Sequence, residues 1–215
     1  MRGRLHLLLW LAALAALSGC VPFAGRPEPQ AQYIYLLQGA EAVPALNNSS
    51  GCHVLLINSP RAVPGFATSG FAYRQSDARI QYFAYHRWSD SPARMLQPLL
   101  VSAAERSKLF SGVITPGAPV QGDVRLDSEV VDLSQRFDDG SSEVRFAVRV
   151  RLYGQERLLA GETFEATESA EPNPQSGIEA ANRASAKVLE RIIRFIQATL
   201  QNSGLRCPAA GPDKN

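Results

Sequence analysis

Two long segments of the chain place their apolar residues at different periods, and each period predicts a different element. Val144, Phe146, Val148, Val150 and Leu152 interleave with Glu143, Arg145, Ala147, Arg149 and Arg151. A period of two predicts a strand with one buried and one wet face. Asp139-Gly140 predicts the turn before it and Gly154-Gln155 the turn after it. Upstream, Val124 to Phe137 changes apolar phase at Val130-Val131, which predicts a bulge or bend in a long strand. Downstream, Leu158 to Ala166 completes an antiparallel meander. Near the C-terminus, Ile178, Ala181, Ser185, Val188, Leu189, Ile192, Ile196 and Leu200 recur at helical spacing as far as about Gln201. Ser176 and Glu179 have the capping-box spacing, and Glu179 with Arg183 and Glu190 with Arg194 stand four apart in the favourable orientation.

The first half is more broken. Tyr33 to Leu37 and His53 to Ile57 are short apolar and aromatic runs bounded by turn residues, a strand pattern, with Asn47 to Gly51 as the loop between them. Phe71 to Arg74 and Arg79 to Tyr85 predict a further strand pair around Gln75-Ser76-Asp77. A helix follows. Asp90 or Ser91 can cap it, Pro92 suits its first turn, and Met95, Leu96, Leu99, Leu100 and Ala103 share one face, with an end near Lys108. The element order is strands, helix, strands, helix.

The N-terminus changes how the composition is read. Arg2 and Arg4 precede the apolar run Leu5 to Ala16, and Leu17-Ser18-Gly19-Cys20 ends it with small residues before a cysteine. This is the pattern of a bacterial lipoprotein signal, residues 1–19, with Cys20 as the lipidated first residue of the mature chain. Crossing a bilayer takes roughly 20 apolar residues, and Gly19, Pro22 and Pro27 close this run too early. Residues 20–32 read as a flexible tether, 33–201 as one folded domain, and 202–215 as an irregular tail anchored at Cys207. Arg2 and Arg4 account for the whole excess of 22 basic over 20 acidic residues. The mature chain is therefore neutral, without the basic surplus of a nucleic-acid-binding domain. Cys52 and Cys207 remain as a pair in an oxidising compartment, where a disulfide between them is expected.

Candidate chemistry is sparse. His6 lies in the signal, leaving His53 and His86 with no metal-ligand spacing. Neither a Gly-X-Ser-X-Gly elbow, a P-loop nor a His-Glu-X-X-His occurs. Asp138 and Asp139 beside Gly140 suit a turn. No catalytic residue, metal or cofactor is expected, and the protein reads as a non-enzyme. Trp88, Tyr82 and Phe83 beside a helix start read as core or staple residues rather than a lipid-binding surface, and His86 as a surface or half-buried histidine. Arg145, Arg149 and Arg151 form a stripe able to hold phosphate or an acidic partner. The plainer reading pairs them with Asp127, Glu129 or Glu165 across a solvated sheet face.

These residues carry a family resemblance. Tyr82-Phe83-Ala84, Arg87-Trp88, Ser91-Pro92-Ala93-Arg94-Met95-Leu96 and Pro98-Leu99-Leu100 resemble the central motif of the auxiliary lipoproteins of ABC-type transporters, the paraquat-inducible protein C group. Val144-Arg145-Phe146, Thr163-Phe164-Glu165-Ala166 and Ala181-Asn182-Arg183-Ala184 follow in the family's order, so the resemblance spans Tyr33 to Leu200. The cysteine pair is not a family hallmark. The resemblance implies a single α+β domain, a mostly antiparallel sheet packed against two main helices, in agreement with the element order. It implies a periplasmic subunit of a mammalian-cell-entry-type lipid transporter, with its substrate-binding protein and the ABC permease and ATPase as partners. Some relatives resemble ring-forming oligomers, which makes a homo-oligomer a further expectation. Val21 lacks the aspartate that retains enterobacterial lipoproteins in the inner membrane, so the outer membrane of a Gram-negative bacterium, facing the periplasm, is the expected site. The alternative is a structural or secretion-associated envelope lipoprotein without a transporter.

Overall fold

The computed structural model describes residues 31–46, 51–76, 78–154 and 157–207. The signal and Cys20, nearly all of the expected tether, Asn47 to Ser50, Asp77, Gln155 and the tail beyond Cys207 lie outside the described residues.

The alternating segment at 141–154 forms the middle of a meander. β7 (Val124–Asp138), β8 (Ser141–Gly154) and β9 (Arg157–Ala170) are antiparallel neighbours. Asp139-Gly140 turns the chain between β7 and β8. Gly140 takes φ 77°, which a glycine adopts freely, and Asp138 Oδ1 accepts the Asp139 N–H at 3.0 Å. The register shifts between Val130 and Asp132, where the apolar phase changes. The bulge keeps both halves of β7 buried on one side: Val124, Leu126 and Val130 before it and Leu133 after it. β9 runs to Ala170, four residues beyond the expected Ala166, because β8 supplies a partner for every added residue.

The other edge of β7 is shared among three short strands that run parallel to it. β2 (Val54–Ile57) pairs near its start, β3 (Arg61–Ala62) at Glu129 and Val130, and β4 (Gly70–Ser76) at Ser134 to Arg136. β6 (Gly112–Ile114) lies outside β2, β5 (Arg79–Trp88) outside β4, and β1 (Tyr33–Tyr35) outside β5. Of the nine strands described, the long ladders are antiparallel and the parallel pairings short, so the sheet is mostly antiparallel. The predicted strand at Tyr33 to Leu37 pairs only as far as Tyr35, because Leu37 turns into the core.

Two helices cover the apolar face. α1 (Pro92–Ser107) bridges β5 and β6, and α2 (Pro174–Asn202) lies along β8 and β9. Ser91 is the N-cap of α1 but makes no side-chain cap; Asp90 instead accepts the Ser91 N–H at 2.7 Å. Lys108 ends the helix in the left-handed region at φ 58°, a place glycine usually takes. α2 starts earlier than the capping-box spacing predicts. Asn173 caps it, its Oδ1 accepting the Ser176 N–H at 2.9 Å, while Ser176 Oγ accepts from Glu171 N. Pro174 and a capping asparagine together define a start that Ser176 and Glu179 only imitate. Of the two predicted helix pairs, Glu190 and Arg194 meet at 2.8 Å, whereas Arg183 turns to Glu168 and the Ser169 carbonyl on β9.

The described residues from Gln32 onward form one compact unit. Trp88, Phe71, Phe146, Leu96, Leu100, Leu189 and Ile192 are fully buried at its centre. Trp88 is thus a core residue, while Tyr82 is exposed. Gly39 marks a close approach. At φ 134° it touches α2, and a side chain there would set its first carbon 2.6 Å from Ala186 N. Beside it Asn182 Oδ1 accepts the Gln38 N–H at 3.0 Å, pinning the entering chain to the helix.

Cys52 and Cys207 are joined by a disulfide across a separation of 155 residues, tying the C-terminal segment to the start of β2. Closing so long a loop restricts the unfolded chain, and replacing both cysteines by alanine is expected to cost about 2–4 kcal/mol. Denaturant unfolding under non-reducing conditions measures it; an unchanged midpoint would contradict a stabilising bridge.

Candidate interaction face

Strand alternation that sends Val144, Phe146 and Val148 under the helices sends the intervening residues to the opposite face. β7 contributes Arg125, Asp127, Glu129 and Asp132, β8 contributes Arg145, Arg149 and Arg151, and β9 contributes Thr163, Glu165 and Thr167. Pairing sets Arg149 between Glu129 and Thr163, Arg151 between Asp127 and Gly161, and Arg145 between Ser134 and Thr167.

At the centre of this face is a buried carboxylate, Asp132, 3% exposed. Arg145, Arg74 and Arg136 approach its Oδ2 at 3.6, 3.7 and 3.9 Å, and Ser134 Oγ donates to Oδ1 at 2.7 Å. A lone carboxylate this deep would be costly, and the surrounding guanidiniums offset its lost hydration. Arg74 also lies over the ring of the buried Phe66, 5.5 Å from its centroid, in a short 3-10 turn at Pro64–Phe66. Toward β9, Arg145 bonds Glu165 at 2.5 Å. That hydrogen bond and the charge behind it hold the Glu165 carboxyl below the ordinary carboxylate range.

The rest of the stripe is similarly engaged. Arg149 Nη1 donates to Glu129 Oε2 at 2.5 Å. Asp127, opposite Arg151, is taken by Asn58 Nδ2 at 2.7 Å and Arg125 Nε at 3.6 Å, and Arg125 stacks over Tyr153 at 4.3 Å. Arg151 is exposed, and among the described residues no ion pair joins it to an acid. Arg145, Arg149 and Arg151 therefore share one sheet face, with different degrees of freedom. A cleft of about 550 Å³ is lined by Arg74 and Arg136 together with Gln75, Phe137, Ser142 and Glu143.

Glu168 anchors β9 to α2. Lys187 Nζ meets its Oε1 at 2.5 Å and Arg183 Nε its Oε2 at 3.3 Å. The Lys187 bond chiefly lowers its pKa; burial opposes and Arg183 adds to the lowering. The histidines stand elsewhere. His86 stacks with the rings of Tyr33 and Tyr35, its Nδ1 2.9 Å from the Tyr35 hydroxyl, and His53 follows Cys52 of the disulfide. Among the described residues no group of His, Cys, Asp or Glu could hold a metal. Such a face can recognise and hold charged groups.

Asp132, Arg74, Glu168 and Lys187 were not singled out by their sequence pattern. The available signal for Asp132 was its place beside the phase change in Val130-Val131-Asp132-Leu133, where a carboxylate enters an apolar run. No pattern signalled Arg74, which reaches Asp132 only because β4 pairs with β7.

The model of the family described as ABC-type transport auxiliary lipoprotein component matches residues 35–196, most of the chain. This chain belongs to that family. The match confirms the resemblance read from Tyr82 to Ala84, Ser91 to Leu100 and Ala181 to Ala184, stretches that place Trp88 in the core, form most of α1 and carry Asn182 on α2. Among solved structures, a Xanthomonas campestris protein assigned to the DUF330 family is similar with a TM-score of 0.71 at 17% identity, covering 80% of this chain and 98% of its own. An uncharacterised protein is similar with a TM-score of 0.60 at 19% identity, covering 78% of this chain and 99% of its own. At these identities the two support the fold of the auxiliary lipoprotein body. No curated protein matches the chain.

Removing the buried charge tests the centre of this face. Asp132→Asn keeps a group able to accept from Ser134 but leaves the three guanidiniums without their common counter-charge, with an expected loss of about 3 kcal/mol in denaturant unfolding. A change within experimental scatter would show that the cluster contributes nothing net.

Acid should act through Glu165 and Glu168. Both pKa values are lowered on folding, so their contribution is complete above the ordinary carboxylate range and is lost as pH falls through the lowered folded values. Melting curves of Glu168→Gln should therefore show a smaller loss of stability on acidification than the parent chain. Parallel acid profiles would exclude this linkage.

Proposed function

We propose that this chain is a lipid-anchored, non-enzymatic auxiliary subunit of an ABC-type lipid transport system of the mammalian cell entry type. The observation carrying this reading is the pattern of a lipoprotein signal over residues 1–19, followed by Cys20 and by a family match that begins at residue 35. Residues 1–19 are removed, Cys20 carries the lipid, 20–32 form the tether and 33–201 the working domain. Acyl chains on Cys20 hold the protein to the inner leaflet of the outer membrane, each buried CH₂ contributing about 0.8 kcal/mol. The tether extends at most about 47 Å at roughly 3.3–3.6 Å per residue, which keeps the domain near the leaflet on its periplasmic side.

Placement is the task of the anchor, and holding partners is the task of the body. The charged face supports this division because it offers fixed guanidiniums rather than a nucleophile and base. The stripe of Arg145, Arg149 and Arg151, with Arg151 exposed, is the segment of that face that would meet an acidic partner or lipid phosphate. The partners are the lipid-shuttling mammalian-cell-entry protein and the ABC permease and ATPase.

Metabolic labelling with radioactive palmitate is expected to mark the wild-type chain and not Cys20→Ser, with the labelled protein banding in outer-membrane fractions of a sucrose gradient. Crosslinking followed by purification should recover an ABC permease or lipid-shuttling protein, and Arg149→Glu combined with Arg151→Glu should reduce that recovery several-fold. Equal labelling of Cys20→Ser overturns the anchor, inner-membrane banding overturns the placement, and recovery of secretion components alone overturns the transport role.

A further inference from the structure

The margin at which the chain enters the fold is apolar and aromatic, and its strands contain no acid. β1 lies at the end of the strand order, with β5 inside it and, among the described residues, no strand outside it. Tyr33, Ile34 and Leu36 are 56%, 65% and 63% exposed, and Tyr85 on β5 is 45% exposed. Scattered apolar residues on a surface are ordinary, but a group of this size on one sheet margin marks an interaction site. β1 and β5 carry Arg79, His86 and Arg87 and no aspartate or glutamate. Arg87, level with Ile34 in the register, donates to the Ser69 hydroxyl rather than to a carboxylate. Tyr33 stacks on His86 at 5.0 Å between ring centroids, and the Tyr35 hydroxyl lies 2.9 Å from His86 Nδ1.

The chain outside the described residues points to what covers this margin. Residue 33 begins β1, and only the short tether separates it from Cys20. We propose that the β1–β5 margin lies against the phospholipid bilayer into which the Cys20 anchor is inserted. This rests on the anchor reading. Ile34 and Leu36 enter the boundary between headgroups and acyl chains, the tyrosines sit at headgroup level, and Arg87 faces lipid phosphate. Aromatic rings with one polar end favour that depth, and guanidinium forks suit phosphate oxygens. The anchor already confines the domain near the surface, so a patch too weak to bind membranes alone suffices to orient it. The same contact turns a single tether point into a fixed orientation of the charged face.

The test uses the mature lipidated full chain in vesicles of phosphatidylethanolamine and phosphatidylglycerol with brominated acyl chains, which quench nearby tryptophan. Ile34→Trp and Tyr85→Trp report on the margin, Leu158→Trp reports on exposed β9 across the sheet, and buried Trp88 is the common background. Quenching of the first two several-fold above Leu158→Trp is the expected result. Equal or absent quenching in protein that floats with the vesicles overturns the membrane contact while leaving the anchor intact. Failure to float overturns the anchor reading and this proposal with it. Shielding of the margin tryptophans without bromolipid quenching, accompanied by crosslinked dimers, assigns the margin to a second copy and overturns the proposal.

Discussion

β7 must satisfy its backbone donors and acceptors on both edges, and the remaining strands are arranged to meet that demand. A buried strand with an unpaired edge carries a penalty at every open N–H and C=O. β8 closes one edge along its whole length, and a single tight turn is enough to connect the two. The other edge is filled by β2, β3 and β4, all parallel to β7, and parallel partners need crossovers rather than hairpins. α1 stands between strands of this patchwork because the chain has to return over the sheet before β7 is made.

The bulge near Val131 sets the chemistry of the open face. It turns Leu133 to the helices and leaves Asp132 on the charged side, where β3 gives way to β4 as the partner of β7. There Arg74 from β4, Arg136 from β7 and Arg145 from β8 converge on one carboxylate. A sheet irregularity, in other words, gathers charges from three strands. The arrangement consolidates the sheet and leaves Arg151 exposed on the stripe.

Much of the architecture could be read from the residues. The meander, the phase change, both helices and their order follow from periodicity, and periodicity survives because each element buries one continuous face. Boundaries were less legible. Ser176 and Glu179 have capping spacing, but the competing Asn173-Pro174 start extends the helix, and the end of β9 was decided by the length of β8 rather than by its own composition. The charged face was visible as the Arg145, Arg149 and Arg151 stripe and invisible as the Asp132 cluster, since Arg74 and Asp132 lie on different strands with nothing in the sequence to relate them.

By itself the sequence determined the elements, their order, the lipoprotein signal pattern and the family, because each depends on residues close together along the chain. Tertiary structure alone decided which strands share the edge of β7, which arginine meets which acid, and which apolar residues of β1 stay at the surface. These depend on distances between residues far apart in the chain, and such distances exist only after backbone pairing has fixed the register.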